Sequence, residues 1–284
     1  MKGRHVLSIA LLSSLALGVF ACSSIHNIRT TEATLGPNTD LTLTTMTYNI
    51  RVGGGIDSYG TSPHLLTSSK QKLERLSDAI KSVDPDVVAL QEVGGLSQAS
   101  FLARRLNLNF VYSSHGNRYF VDFGMAVLSK YKILSTRDHS IYGPGGSGYD
   151  PRIGLESVID INGKSVTVLN VHYSNEARNY QAQVDATMDA LKGLRAPIVL
   201  LGDFNRREWD REMKPLFDEM RDTCLEVSGE TSRYVRSHGT GFGRIDYIFV
   251  DSQSFEVISV GLIPRDHWNA SDHIGYFAKV RLRR

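Results

Sequence analysis

The chain has 284 residues, enough to bury one substantial core and near the upper end of what a single α/β or two-sheet domain uses. A composition of 41% hydrophobic and 22% charged residues, with 25 glycines, excludes a disordered chain and a multi-span membrane protein. The formal net charge of +2 excludes bulk attraction to nucleic acid as a driving force.

At the front, Lys2 and Arg4 supply positive charge, residues 6–20 are apolar and almost uncharged, and Ala21-Cys22 closes the run with a small residue. The run is too short to span a bilayer comfortably and reads as an export signal. It resembles a bacterial lipoprotein signal, in which the Cys after a small residue becomes the lipidated first residue of the mature chain. Val19-Phe20-Ala21-Cys22 stands in that box, with bulky Phe20 where a small or hydroxyl residue is usual. An ordinary secretory peptide or an uncleaved anchor would give the same composition. The expected organisation is a lipoprotein signal peptide at 1–21, a flexible tether at 22–40 rich in Ser, Thr and Asn, and one catalytic domain at 41–284. Loss of 1–21 removes Lys2 and Arg4 and no acid, leaving a formally neutral domain. The chain has two cysteines; if Cys22 carries lipid, Cys224 is left as a single thiol whose expected role is packing.

Residues 41–50 alternate in the manner of a strand, residues 68–83 place Leu73, Leu76, Ile80 and Val83 on one helical face, and residues 86–90 form a short buried strand run after Asp84-Pro85. Ile153, Leu155, Ile159 and Ile161 lead into Asn162-Gly163 and then Val166 and Val168, the signal of a hairpin with a type I′ turn. Antiparallel pairing among helices predicts an α+β or sandwich sheet. Gly163-Lys164-Ser165 lacks the earlier glycine of a phosphate loop, which would fall on Val158, and Gly146-Ser147-Gly148 is followed by Tyr149 rather than by the glycine of a serine-hydrolase elbow. Residues 142–152 are expected to be a glycine-rich surface lid.

Polar residues at the ends of apolar strands carry the chemistry: Asn49, Glu92, His172, Asp203 with Asn205, Asp246, and Asp272-His273. Each alone has a bland reading as a turn cap or a solvated strand end. Spread over five apolar strands, they would incur repeated burial costs without a shared purpose.

Those residues lie in Thr-Tyr-Asn-Ile at 47–50, Leu-Gln-Glu at 90–92, Gly-Met-Ala-Val-Leu-Ser at 124–129, Asn-Val-His at 170–172, Gly-Asp-Phe-Asn at 202–205, Ile-Asp-Tyr-Ile at 245–248 and Ser-Asp-His at 271–273. In this order they resemble the endonuclease/exonuclease/phosphatase superfamily, which includes deoxyribonuclease I and bacterial sphingomyelinases. The resemblance implies a four-layer α/β/β/α sandwich of two mixed, mainly antiparallel sheets flanked by helices.

It also implies roles. Asn49 and Glu92 match metal positions, with Asp272 contributing directly or through water. Mg²⁺ is the expected ion, with Mn²⁺ or Ca²⁺ as alternatives, since such hard cations take oxygen ligands and keep several waters. His273 matches the catalytic histidine and Asp246 the carboxylate that orients it. Asp203 and Asn205 match residues that position water and phosphate oxygens, and either Asp203 or His273 takes the proton. His172 donates to a phosphoryl oxygen or the leaving group, and Arg152 neutralises phosphate. Arg233-Tyr234-Val235-Arg236, with His238 and Arg244, mixes basic and aromatic residues able to grip a nucleic-acid backbone or a lipid phosphate; a solvated loop is the plainer reading. The expected activity is phosphodiester hydrolysis at the bacterial cell envelope by a lipid-anchored monomer, on nucleic acid or a phospholipid headgroup. The competing expectation is a catalytically silent lipoprotein using the same fold as a binding module.

Overall fold

A computed structural model describes residues 23–28, 41–53, 70–118, 121–141, 152–238 and 243–283. The signal segment, Cys22 and residues 142–151 of the expected lid lie outside the described residues. In chain order the elements are β1 (Ser23–His26), β2 (Thr42–Asn49), α1 (Lys70–Val83), β3 (Val87–Val93), α2 (Leu96–Leu106), β4 (Asn109–Arg118), β5 (Val121–Ser129), β6 (Lys132–Ser140), β7 (Ile153–Ile161) and β8 (Lys164–His172). There follow α3 (Tyr180–Gly193), β9 (Ile198–Asp203), α4 (Lys214–Glu219), β10 (Arg221–Asp222), α5 (Thr223–Glu226), α6 (Glu230–His238), β11 (Asp246–Val250), β12 (Phe255–Leu262) and β13 (Tyr276–Leu282).

The strands form two mixed sheets, ordered β1-β4-β5-β3-β2-β13-β12 and β10-β11-β9-β8-β7-β6. Between them lies a core that includes Val127, Leu155, Val168, Leu201 and Ile248. On the outer face of the first sheet, Leu76 and Ile80 of α1 and Leu102 of α2 pack on Met46, Val88 and Leu128. On the outer face of the second, Val184 of α3 and Leu216 of α4 pack on Leu169, Leu200 and Phe249. These layers make the α/β/β/α sandwich.

The sequence signals that build it are local. Leu73, Leu76 and Ile80 recur at helical spacing along α1 and are buried. The helix ends where Asp84 turns left-handed (φ 49°), its N–H reaching back to Ile80, and Pro85 bars continuation. Asn162 and Gly163, both at positive φ, close the β7–β8 hairpin as the Asn-Gly pair predicts.

Each sheet holds one parallel pair, β2 with β3 and β8 with β9, joined through α1 and α3 respectively. The carboxyl ends of these four strands lie at one pole, because Asn49 at the end of β2 hydrogen-bonds across the sheets to Asp203 at the end of β9. That pole receives the polar residues at the strand ends.

The tether reading of 22–40 needs correction at its start. Ser23–His26 adds to the edge of the first sheet, pairing antiparallel with β4 from Ser23–Ser113 to His26–Phe110. Ile25 packs on the inter-sheet core and the His26 ring stacks on Phe110 at 4.6 Å. The Asn27 side chain exchanges two hydrogen bonds with the backbone of Ile133. A short polar segment thus orders by covering an otherwise unpaired strand edge.

Candidate active site

On the second sheet three neighbouring strands set three side chains in a row, for His172 pairs with Asp203 and Asp203 with Asp246. The strands approach so closely here that a Cβ at Gly202 would fall 1.9 Å from the Val171 carbonyl oxygen, which leaves glycine as the residue that fits before Asp203. On the first sheet Asn49 ends β2, and Glu92 sits in an irregularity between Leu90 and Val93 where its backbone is left-handed (φ 52°). Such a break re-aims a side chain that regular pleating would send elsewhere.

Asp203 Oδ2 is the meeting point. Asn49 Nδ2 donates to it at 3.0 Å and to Glu92 Oε1 at 3.1 Å, joining the two sheets. His172 Nε2 stands 3.6 Å from the same oxygen and 3.7 Å from Glu92 Oε1, and His273 Nε2 stands 3.7 Å from it on the other side. Asp246 Oδ2 is 2.9 Å from His273 Nδ1. Asn205, also left-handed, donates its backbone N–H to Asp203 Oδ1 at 2.9 Å and its amide to the Tyr173 carbonyl. Asn49, Glu92, His172, Asp203, Asn205, Asp246 and His273 therefore share one site. Asp272 joins at its margin, 3.4 Å from Arg51 and touching Ser271 Oγ, which itself donates to the Asn49 carbonyl.

Burial sets the electrostatics. Burial is the main influence raising the Asp203 carboxyl to about 7; Asp246 adds to the rise, and His273 with the Asn49 and Asn205 donors holds it back. For His273 burial alone would lower the imidazole, yet the carboxylates of Asp246, Asp203 and Asp272 outweigh it and hold it well above 6.5. Burial thus holds the Asp203 carboxyl high while the surrounding carboxylates hold the His273 imidazole high, and the two groups titrate as a coupled pair.

Arg152 lies beneath the site. It is buried, and its Nη1 lies 2.7 Å from His172 Nδ1. A guanidinium only donates, so Nδ1 accepts and the His172 proton is carried on Nε2, pointing at Asp203 and Glu92. Arg152 thus meets the site at His172. In the basic segment, Val235 is core, Arg236 pairs with Glu208, and Arg244 is buried against Asp222 with Glu208 at 3.2 Å, while Arg233 is exposed. Arg236 and Arg244 close ion pairs within the fold.

Sequence reasoning missed the layer beneath the site. Gln91 Nε2 donates to Asn170 Oδ1 at 2.7 Å, and Asn170 Nδ2 donates to the carbonyls of Leu90 and Ala126, tying the sheets together under Asn49 and Glu92. Their presence inside Leu-Gln-Glu and Asn-Val-His was the available signal. Arg51 and Ser271 were passed over as well.

The carboxyl-rich pocket suits a divalent cation. Ligand atoms of Asp203, Asp246 and His273 lie within 4.8 Å of one another. The side chains of Glu92 and Asp272, however, are about a quarter exposed (25% and 24%), while those of Asp203 and Asp246 are sealed at 1% and 4%. An ion entering from solvent with its waters meets Glu92 and Asp272 first. Asn49 turns its amide hydrogens to the carboxylates and its oxygen to the Arg51 N–H.

Residues 46–273 match the Endonuclease/Exonuclease/phosphatase family. The chain belongs to that family. As a member it is similar to a Drosophila melanogaster protein named "Putative neutral sphingomyelinase", 26% identical over 262 residues, covering 78% of this chain and 58% of that protein. It thus spans little more than half of that relative. Another family relative, the uncharacterized protein YbhP of Escherichia coli (strain K12), is 27% identical over 239 residues, covering 74% of this chain and 88% of its own. The human Nocturnin catalytic domain with bound sulfate superposes with a TM-score of 0.69 at 16% identity over 86% of this chain and 96% of that one, a likeness of fold. The family, the sandwich and a hydrolase of nuclease, phosphatase or phosphodiesterase type agree with the resemblance read from the motifs.

Proposed function

We propose that the protein is a Mg²⁺-dependent phosphodiesterase of the bacterial cell envelope, a monomer anchored through a lipid on Cys22. The observation that carries this reading is the convergence of Asn49, His172 and His273 on Asp203 Oδ2 with Asp246 behind the imidazole. A binding module would have no use for a carboxylate buried at such electrostatic cost.

When bound, the cation supplies charge stabilisation at the phosphoryl oxygens, with Glu92 and Asp272 as its holders. Phosphate ester hydrolysis demands up to ~10²¹ acceleration, whereas one general acid or base supplies about 10² to 10⁴. The chain's residues perform the remainder. The Asp203–His273 pair takes the proton of a water whose oxygen forms the new bond to phosphorus, and Asp246 holds the imidazole in register. His172, its proton fixed on Nε2 by Arg152, donates to a phosphoryl oxygen. The opposite P–O bond breaks and its oxygen takes a proton from solvent, to which the Asp203–His273 pair returns the one it took, so a diester and water become a monoester and an alcohol.

The test is release of p-nitrophenol from bis(p-nitrophenyl) phosphate. Turnover with Mg²⁺ is expected, with loss in EDTA and in Glu92→Ala and His273→Ala proteins that keep the wild-type circular dichroism. Wild-type turnover in the double variant would refute the assignment.

A further inference from the structure

The first sheet places the start of β1 at the catalytic pole. β4 runs towards that pole, since its partner β5 begins there, with Gly124 opposite Val93 at the end of β3. β1 is antiparallel to β4 and runs away from the pole, so Ser23, opposite Ser113, lies within about two residues of the level of Glu92. Cys22 is the next residue, one Cα–Cα step of about 3.8 Å away. No spacer separates an anchor at Cys22 from the folded domain, and the chain leaves at the end that bears the site.

The opposite margin of the same pole carries one exposed aromatic ring, Trp209, and two half-buried ones, Tyr234 and Trp268, with arginines beside them. Trp209, in the loop after β9, is 66% exposed with the Arg207 guanidinium 5.5 Å from its ring. In the connection from β12 to β13, exposed Arg265 stands 5.2 Å from the Trp268 ring and 5.7 Å from that of Tyr234. Trp and Tyr rings flanked by Arg are the residues that settle at the headgroup level of a bilayer. β1 and β12 each lie three strands from β3, about 14 Å by strand spacing. Glu92 therefore sits midway between the anchor and the aromatic margin.

We infer that the catalytic pole faces the bilayer to which Cys22 is anchored, and that the substrate is the phosphodiester of a phospholipid headgroup in that bilayer. This rests on the hydrolase reading above and names its substrate. An anchor on one flank and an aromatic–arginine rim on the other set the plane of the pole against the lipid surface. Water adds to the headgroup phosphorus and one P–O bond breaks, giving a phosphomonoester and an alcohol.

The experiment uses the full chain purified from bacterial membranes and reconstituted in phosphatidylethanolamine–phosphatidylglycerol vesicles. The amino-terminal peptide is expected to carry a diacylglyceryl mass on Cys22; an unmodified Cys22 overturns the inference. Hydrolysis of vesicle lipid is expected, and a Gly/Ser spacer of about 20 residues between Cys22 and Ser23, reaching about 25 Å, is expected to lower it several-fold. Trp209→Ala and Arg265→Ala should reduce lipid turnover about tenfold and leave bis(p-nitrophenyl) phosphate turnover in detergent unchanged. In a Trp268→Phe protein, brominated lipid is expected to quench Trp209. Soluble turnover without lipid product or plasmid DNA cut faster than lipid overturns the substrate, and spacer and Trp209→Ala proteins matching wild type on vesicles overturn the orientation, with the hydrolase reading left standing in each case. Absence of soluble turnover in the wild type instead brings down the hydrolase reading beneath it.

Discussion

Asp246 and Asp203 hold the two nitrogens of one imidazole: Asp246 Oδ2 is 2.9 Å from His273 Nδ1, and Asp203 Oδ2 is 3.7 Å from Nε2. The ring is fixed in orientation by the first contact, and its second nitrogen faces the Asp203 carboxylate just beyond hydrogen-bond length. Asp246→Asn keeps the shape but loses the charge that holds the imidazole. The expected result is a fall in kcat of about 10² to 10⁴ with KM within about threefold. Steady-state kinetics on a soluble diester checks it, and an unchanged kcat would remove Asp246 from the machinery.

Arg152 positions His172 through its 2.7 Å contact with Nδ1. Arg152→Gln retains an N–H donor and is expected to keep more activity than Arg152→Met, in which the ring is free to move its proton to Nδ1. A role confined to packing would rank the two variants by stability alone, so kcat and Tm are measured together.

Asp203 gives a pH dependence of stability with a definite sign. Its carboxyl rises from 3.8 unfolded to about 7 folded, chiefly through burial. Between those values the folded state binds more protons, so this group's contribution is fully present below about 3.8 and is lost as pH rises through about 7. Asp203→Asn removes the penalty. In EDTA the variant is expected to melt above the wild type at pH 8, by roughly 2–4 °C per kcal/mol recovered, with a smaller gap at pH 5 and no activity at either. A gap that widens towards pH 5 would reverse the assignment.

Metal binding is expected to raise the melting temperature of the wild type in proportion to the logarithm of Mg²⁺ above its dissociation constant. Glu92→Gln should abolish that shift, while Asn49→Ala, which removes the amide that donates to Glu92, should weaken it. Differential scanning fluorimetry across a Mg²⁺ series separates the two, and an undiminished shift in Glu92→Gln would move the ion elsewhere.

Gly202→Ala would force a Cβ to within 1.9 Å of the Val171 carbonyl oxygen. The strands must part, and a loss above about 4 kcal/mol is expected, read as a shifted urea midpoint.

The strand-end residues were legible because strands are local. A run such as Ile198–Asp203 declares both its burial and the point where it reaches solvent, and the polar residue at that point is visible without knowing its neighbours. The partnerships of the cations were not legible. Arg152, Arg236 and Arg244 look alike in sequence, yet a guanidinium's role depends on which carboxylate or imidazole tertiary packing brings within about 3 Å. Ser23–His26 escaped notice because four polar-leaning residues hold no strand by themselves. They order against an edge supplied by Asn109–Arg118, about ninety residues along the chain.

The sequence by itself determined the strand–helix–strand run that opens the domain, the hairpin turn, the family and which polar side chains stand at strand ends, since each depends on periodicity and residue type within a short window. Tertiary structure alone decided that Asn49 and Glu92 of one sheet meet Asp203 of the other, that Arg152 contacts His172, and that Ser23 lies beside the catalytic pole. Those relations are distances between residues far apart in sequence, and they exist only once the two sheets have closed on a common core.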